Sequence, residues 1–313
     1  MVFFTTFRCN LRCAMCYAWI KQKKTKELTV EQIQELFCDK LIRDNLEIIN
    51  ITGGEPTLRD DLSEIAKIIL SNCKRLRRID ISTNGVNTSE IIDQLERILA
   101  LALPTNVRLT ANISIDGVGE THERVRGVSG IFTKVEQTVE GLRELMRLYP
   151  FFSLGFNMTI SRINYHVIEE VRKYAKQKGI GVNFTLAAIS DIGVESSRVK
   201  EKFMIDQDKN NALIASLNEL LKTKNGDLRY LKLILTWLKT GRRNDYCAFR
   251  QGKAFLLEPD GEMYACGNFR ESRIGNVTQS PLEKIWMRAG KAWKAISIKC
   301  STCVSNCYID KAK

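Results

Sequence analysis

Six short runs rich in β-branched and aromatic residues alternate with longer stretches of helical periodicity, and this alternation restricts the fold more than any other feature. The predicted strands are Val2–Phe7, Ile48–Thr52, Arg78–Ser82, Val107–Ile115, Ser153–Ile160 and Gly181–Leu186. Between them lie predicted helices near Val30–Arg43, Asp61–Asn72, Ser89–Leu101, Phe132–Leu148 and His166–Lys178. Parallel strands need a crossover between them, so regular alternation points to a parallel sheet. Six units fall short of the eight in a closed barrel. A partial (β/α)6 TIM-like barrel over residues 1–190 is therefore expected, with an open doubly wound sheet as the alternative from pattern alone.

Local signals support the helix boundaries. Thr29 followed by Gln32 is a capping-box pattern at the start of one helix. Lys176 and Lys178 load the last turn of another, and Gly179 follows. After Leu186 the pattern dissolves into a helical connection over residues 191–245, with helices near Asn210–Lys224 and Leu228–Thr240. Pro259-Asp260-Gly261 between two apolar runs predicts a hairpin turn, and a helix near Pro281–Ala295 leads into "KCSTCVSNCY". Residues 246–313 are expected to form a small C-terminal α+β domain.

Composition limits the setting. Of 313 residues, 44% are hydrophobic and 27% charged, which describes a globular protein. No apolar run reaches the length of a membrane-spanning helix, and the N-terminus does not read as a secretory signal. The expected location is therefore cytoplasmic, where ten cysteines serve better as metal ligands or reactive thiols than as disulfides. The net charge of +12 comes from scattered basic residues without interleaved aromatics, which speaks against nucleic acid. Two histidines, His122 and His166, are too few for a mononuclear site or a histidine-dependent triad. Cys38 and Cys73, inside amphipathic helices, read as small core residues.

The chemistry concentrates at strand ends. Cys9, Cys13 and Cys16, in C-x3-C-x2-C spacing, follow the first strand on the face where β/α folds place their active sites. Three thiolates can hold three irons of a cubane and leave the fourth open to a small molecule. A zinc site completed by a distant fourth ligand is the competing reading. A second set, Cys247, Cys266, Cys300, Cys303 and Cys307, surrounds the predicted hairpin and the chain's last segment.

The signature "CNLRCAMCY", continued by "ITGGEP", "ISTNG" and "NISIDG" at later strand ends, resembles the radical S-adenosylmethionine (SAM) superfamily across Val2 to Ala187. The resemblance implies that Cys9, Cys13 and Cys16 ligate a [4Fe–4S] cluster whose fourth iron is chelated by SAM. It implies reductive cleavage of SAM to a 5′-deoxyadenosyl radical that abstracts hydrogen. Gly53, Gly54 and Glu55 match the segment that holds the SAM amino group, and Tyr17 would lie beside the adenine. Ser114 and Arg126 match positions contacting the ribose and the carboxylate, a pairing suited to the planar guanidinium fork. Ser82, Asn84 and Asp116 are polar strand-end residues expected to face SAM or substrate. The C-terminal thiols resemble the auxiliary-cluster domains called SPASM and twitch. With five cysteines the chain looks nearer the one-cluster form, and Cys247, Cys266, Cys300 and Cys303 are expected to hold one auxiliary [4Fe–4S] cluster. Cys307 would then be spare, or a hydrogen-atom donor; the alternative is that Cys307 closes the cluster and leaves Cys300 or Cys303 free.

The resemblance also implies partners. A flavodoxin or ferredoxin-type reductant would supply the electron, and the basic run Lys21–Lys26 beside the cluster loop would help an acidic one dock. Sulfatase-maturing relatives carry an aspartate where this chain has Gly267, which makes formylglycine formation doubtful. The chain starts eight residues before Cys9, so a peptide substrate is expected to need a separate recognition protein. The expected substrate is a small sugar-like or phosphorylated molecule undergoing dehydrogenation or epimerisation. Radical modification of a ribosomally made peptide is the alternative, and a pure iron–sulfur electron carrier is the non-enzymatic one.

Overall fold

Alternation of large apolar with small polar residues along each strand determines which side of the sheet the helices cover. In the computed structural model, residues 1–16, 18–21, 26–187, 205, 211–222, 228–243 and 247–305 are described. Strands β1 (Val2–Thr6), β2 (Ile48–Gly53), β3 (Arg78–Thr83), β4 (Arg108–Ser114), β5 (Phe152–Ile160) and β6 (Gly181–Leu186) pair in parallel, each with the next. One face carries Ile49, Ile51, Ile79, Ile81, Ile113 and Phe156, all buried in the main core. The other face carries Asn50, Ser82, Asn112, Asn157 and Asn183, all half-buried.

The helices are α1 (Ala18–Lys21), α2 (Val30–Cys38), α3 (Lys40–Arg43), α4 (Leu62–Asn72), α5 (Thr88–Ala102), α6 (Glu120–Arg126), α7 (Phe132–Leu148) and α8 (Ile168–Lys178). These are followed by α9 (Asn211–Lys222), α10 (Leu228–Thr240), α11 (Leu282–Trp286) and α12 (Ala289–Cys300). The capping box at Thr29 is formed in both directions, and Gly179 closes α8 in the left-handed conformation. The helix predicted over Val30–Arg43 is broken at Asp39. That residue is extended, and its carboxylate accepts from the Leu41 N–H to cap α3. The segment Pro281–Ala295 divides likewise into α11 and α12.

The C-terminal segment does not form a sheet of its own. Strand β7 (Leu256–Leu257) pairs in parallel with Val2–Phe3, and β8 (Glu262–Tyr264) and β9 (Arg273–Asn276) continue antiparallel. Among the described residues the order is β6-β5-β4-β3-β2-β1-β7-β8-β9, so the sheet is open, with β6 at one edge and β9 at the other. The predicted hairpin turn is present, with Gly261 at φ 86°. By joining β1, the hairpin supplies that strand with pairing on its second side.

One further expectation needs correction. Cys38 is exposed, accepting from Gln34 Nε2 and donating to Asn72 Oδ1, whereas Cys73 is buried as predicted. His122 is fully buried.

Candidate active site

The loop after β1 presents Cys9 half-buried, Cys13 buried and Cys16 exposed. It is held from across the chain by backbone bonds, Arg12 N–H to Arg126 O at 3.2 Å and Ala14 N–H to Val125 O at 2.9 Å. Helix α6 therefore ends against this loop. Gly127 caps it at φ 73°, and a Cβ there would stand 2.3 Å from the Arg12 carbonyl oxygen. Burial, followed by the neighbouring thiols and Glu55, pushes the Cys9 thiol up to about 11. Metal ligation requires the thiolate, so a metal bound by this thiol would displace its proton.

The Gly-Gly-Glu-Pro segment ends β2 directly beside that loop. Gly54 N–H donates to Thr6 O and Glu55 N–H to Arg8 O, both at 2.8 Å. A Cβ on Gly54 would lie 2.0 Å from the Arg8 carbonyl oxygen, so the close approach is first of all to the protein's own backbone. Glu55 is fully buried. One carboxylate oxygen accepts from Thr57 Oγ1 at 2.8 Å and the other from Asn84 N–H at 2.7 Å. Burial pushes its carboxyl up, and those hydrogen bonds partly oppose the shift. Asn84 in turn donates through Nδ2 to Asn10 Oδ1 at 2.7 Å. Glu55 and Asn84 thus tie the ends of β2 and β3 to the cysteine loop. Asn10 is a member of this network that sequence reasoning missed, because nothing local marks it.

Arg126 is buried, not on the surface. Its Nη2 lies 2.8 Å from Asp116 Oδ2, and its Nη1 donates to Cys13 Sγ at 3.7 Å. Burial opposes the guanidinium's charge, but Asp116 and then Cys13 outweigh it and hold Arg126 protonated. Asp116 accepts from Thr159 N–H at 2.8 Å through its other oxygen, so it points at the protein and not at a ligand. The Asp116 N–H donates to His122 Nδ1 at 3.2 Å. Burial, with Arg126 adding, lowers the His122 pKa to about 3, so its imidazole is neutral and supports this turn. Arg126 Nε is buried without a hydrogen-bond partner. An acceptor such as a ligand carboxylate would complete its fork. Ser82 and Ser114 stand half-buried at the strand ends of the polar face, where Ser82 Oγ donates to Asn50 Oδ1 at 3.4 Å.

Cys247, Cys266, Cys300 and Cys303 line one pocket together with Arg243 and Arg250. Burial, reinforced by the other three thiols, pushes Cys266 up to about 12. Among the described residues, no three ligand side chains stand close enough to grip a single metal ion. A cubane spreads its ligands over several irons, so it suits thiol sets of this width. Tyr17, residues 22–25 of the basic run and Cys307 lie outside the described residues. No helix among the described residues is long and apolar enough to cross a membrane.

The family model of the Radical SAM superfamily matches residues 3–175, and that of the SPASM iron-sulfur cluster-binding domain matches residues 247–308. The chain is 32% identical over 306 residues to an AdoMet-dependent heme synthase of Methanosarcina barkeri (strain Fusaro / DSM 804), covering 91% of this chain and 80% of the relative. It is 32% identical over 305 residues to the sporulation killing factor maturation protein SkfB of Bacillus subtilis (strain 168), covering 96% of this chain and 66% of the relative. Among solved structures, native anSMEcpe with bound AdoMet superposes with a TM-score of 0.69 at 17% identity, covering 94% of this chain and 82% of that one. At that identity the likeness speaks for the fold.

Proposed function

The chain belongs to the radical SAM superfamily and carries a C-terminal iron–sulfur cluster-binding domain, and on that premise we propose that it takes a hydrogen atom from a peptide seated on the polar face of the sheet. Membership brings a [4Fe–4S] cluster, SAM and an auxiliary iron–sulfur cluster. When bound, the first cluster and SAM supply carbon-centred radical chemistry able to break an unactivated C–H bond. The chain's own residues hold and orient. Cys9, Cys13 and Cys16 are proposed as cluster ligands, and Gly53 and Gly54 admit the backbone contacts that place the SAM amino group. Glu55 and Asn84 fix the loop between them, Ser114 and Ser82 are proposed to face the ribose, and Tyr17, outside the described residues, is proposed as the partner of the adenine. Arg126 offers its open Nε to the SAM carboxylate, and Asp116 keeps the guanidinium in place. Cys247, Cys266, Cys300 and Cys303 are proposed to hold the auxiliary cluster. Residues 1–190, 191–245 and 246–313 remain the proposed barrel, connection and auxiliary segments, and a low-potential flavodoxin or ferredoxin the proposed reductant.

The substrate class rests on the polar face itself. Asn50, Ser82, Asn112, Asn157 and Asn183 line it with neutral amides and a hydroxyl, Asp80 on the same face pairs with Arg78 at 3.0 Å, and Arg78 and Arg108 stand at the opposite ends of their strands. Carboxylate-rich tetrapyrroles and phosphorylated sugars call for guanidinium or ammonium partners. Peptide N–H and C=O groups are matched by amides and hydroxyls. This favours the kind of substrate named for SkfB over that named for the heme synthase, and the small molecule becomes the alternative. The test is deuterium transfer. Extract from cells grown in heavy water is divided by mass and incubated anaerobically with enzyme, SAM and reductant. Deuterated 5′-deoxyadenosine is expected from the peptide fraction and is expected to vanish after protease digestion. Label from a protease-resistant, low-mass fraction would return the substrate to small molecules. The mass change of the recovered product separates oxidation from epimerisation.

Arg126→Lys tests the carboxylate contact. It keeps a positive charge near Asp116 but cannot present a fork, so SAM binding is expected to weaken by roughly 1.5–3 kcal/mol, measured by calorimetry on reconstituted enzyme. Unchanged affinity would remove Arg126 from the SAM site.

A further inference from the structure

The auxiliary thiol site is anchored at two separate places on the sheet. On one side, Cys247 packs in an apolar cluster with Val2 and Phe4 of β1, and β7 pairs with that same strand. On the other side, the segment that follows Cys300 is gripped by α10 and the residues just after it. Trp237 Nε1–H donates to Thr302 O at 2.8 Å, and Arg243 Nη1 donates to Ser305 O at 2.7 Å. The fully buried Tyr230 donates its hydroxyl proton to Val304 O at 2.8 Å and accepts from Leu186 N–H at 3.1 Å. Leu186 is the last residue of β6, an edge of the open sheet, and Val304 follows Cys303 directly. A single hydroxyl therefore joins the edge strand to the auxiliary site.

Taking from the proposed function only that these four thiols hold iron, we infer that Tyr230 is a positioning residue coupling the auxiliary site to the β6 edge. A group bridging Cys247 and Cys266 to Cys300 and Cys303 ties the β1 side to the segment that Tyr230 fastens to β6. Coupling of this kind is reciprocal: iron at the thiols orders the edge, and an ordered edge retains the iron. Removing the hydroxyl leaves Leu186 N–H and Val304 O buried without that partner, while a phenyl ring still fills the space.

The experiment uses the full chain carrying Cys9→Ala, Cys13→Ala and Cys16→Ala, so that the iron present is auxiliary. Iron release to a chelator and hydrogen exchange of a peptide spanning β6 are followed with and without Tyr230→Phe. The variant is expected to release iron about tenfold faster. Chelation is expected to speed β6 exchange in the parent, whereas exchange in the Tyr230→Phe protein is already fast and insensitive to iron. Trp237→Phe, which removes the bond to Thr302 and leaves the Tyr230 hydroxyl in place, is expected to speed iron release and leave β6 exchange unchanged. It keeps the comparison informative if Tyr230→Phe folds poorly. Equal release rates, or β6 exchange indifferent to iron in the parent, overturn the coupling. A background protein that holds no iron overturns the auxiliary-site reading itself.

Discussion

Replacing Cys9, Cys13 and Cys16 together with alanine is expected to abolish 5′-deoxyadenosine production while the C-terminal site keeps its iron. The two thiol sets proposed as ligands stand on different parts of the chain. The first lies on the loop after β1, and the second lines a pocket built from the hairpin and the end of α12. Removing three thiolates from the first leaves the iron there without protein ligands. The measurement pairs anaerobic chromatography of SAM products with iron counts and electron paramagnetic resonance of the reduced protein. Continued 5′-deoxyadenosine release by the triple variant would place the chemistry elsewhere in the chain. Loss of all iron, C-terminal site included, would overturn the proposal that Cys247, Cys266, Cys300 and Cys303 hold a second cluster.

Gly54→Ala is the second substitution with a large expected effect, and its cause is steric. The new methyl would stand 2.0 Å from the Arg8 carbonyl oxygen and 2.7 Å from its carbon, inside a stretch that also carries the Gly54-to-Thr6 and Glu55-to-Arg8 backbone bonds. Neither neighbour is a flexible side chain, so the cysteine loop must move away from β2. The expected cost is about 3 kcal/mol of stability, the upper range for an overpacked site. Reduced iron loading at Cys9, Cys13 and Cys16 is expected with it, read by chemical denaturation and iron analysis. Gly290→Ala in α12, where an added Cβ meets no atom within 4 Å, is the control and is expected to be neutral or slightly stabilising. Equal behaviour of the two variants would mean that Gly54 is not needed for the close approach.

Much of the architecture was legible in the sequence because strand and helix periods are local properties. The predicted strand Gly181–Leu186 and helix Phe132–Leu148 have the observed boundaries, and the other predicted strands differ by a residue or so at their ends. Helix α6 escaped because its seven residues, "ETHERVR", carry no apolar repeat. Its ends are set by Gly119 and Gly127 at positive φ, and no side chain caps it. The break at Asp39 was hidden for a different reason. The apolar period runs through it, and only the aspartate's own bond to Leu41 N–H divides the helix.

By itself the sequence determined the β/α order, the three-cysteine loop after β1 and the second thiol set near the C-terminus. Residue type and short spacing carry that information, since a ligand loop must be contiguous and a strand must alternate. Only the tertiary structure decided what those residues meet. Arg126 reaches Cys13 across 113 positions, and Tyr230 reaches Val304 across 74. Glu55, Asn84 and Asp116, legible as polar strand-end residues, are buried and committed largely to the protein's own backbone and loops. The hairpin's junction with β1 depends on where the chain returns, and no local pattern records that. Hydrogen bonds between distant segments depend on relative position in space, which packing of the whole sheet and its helices sets.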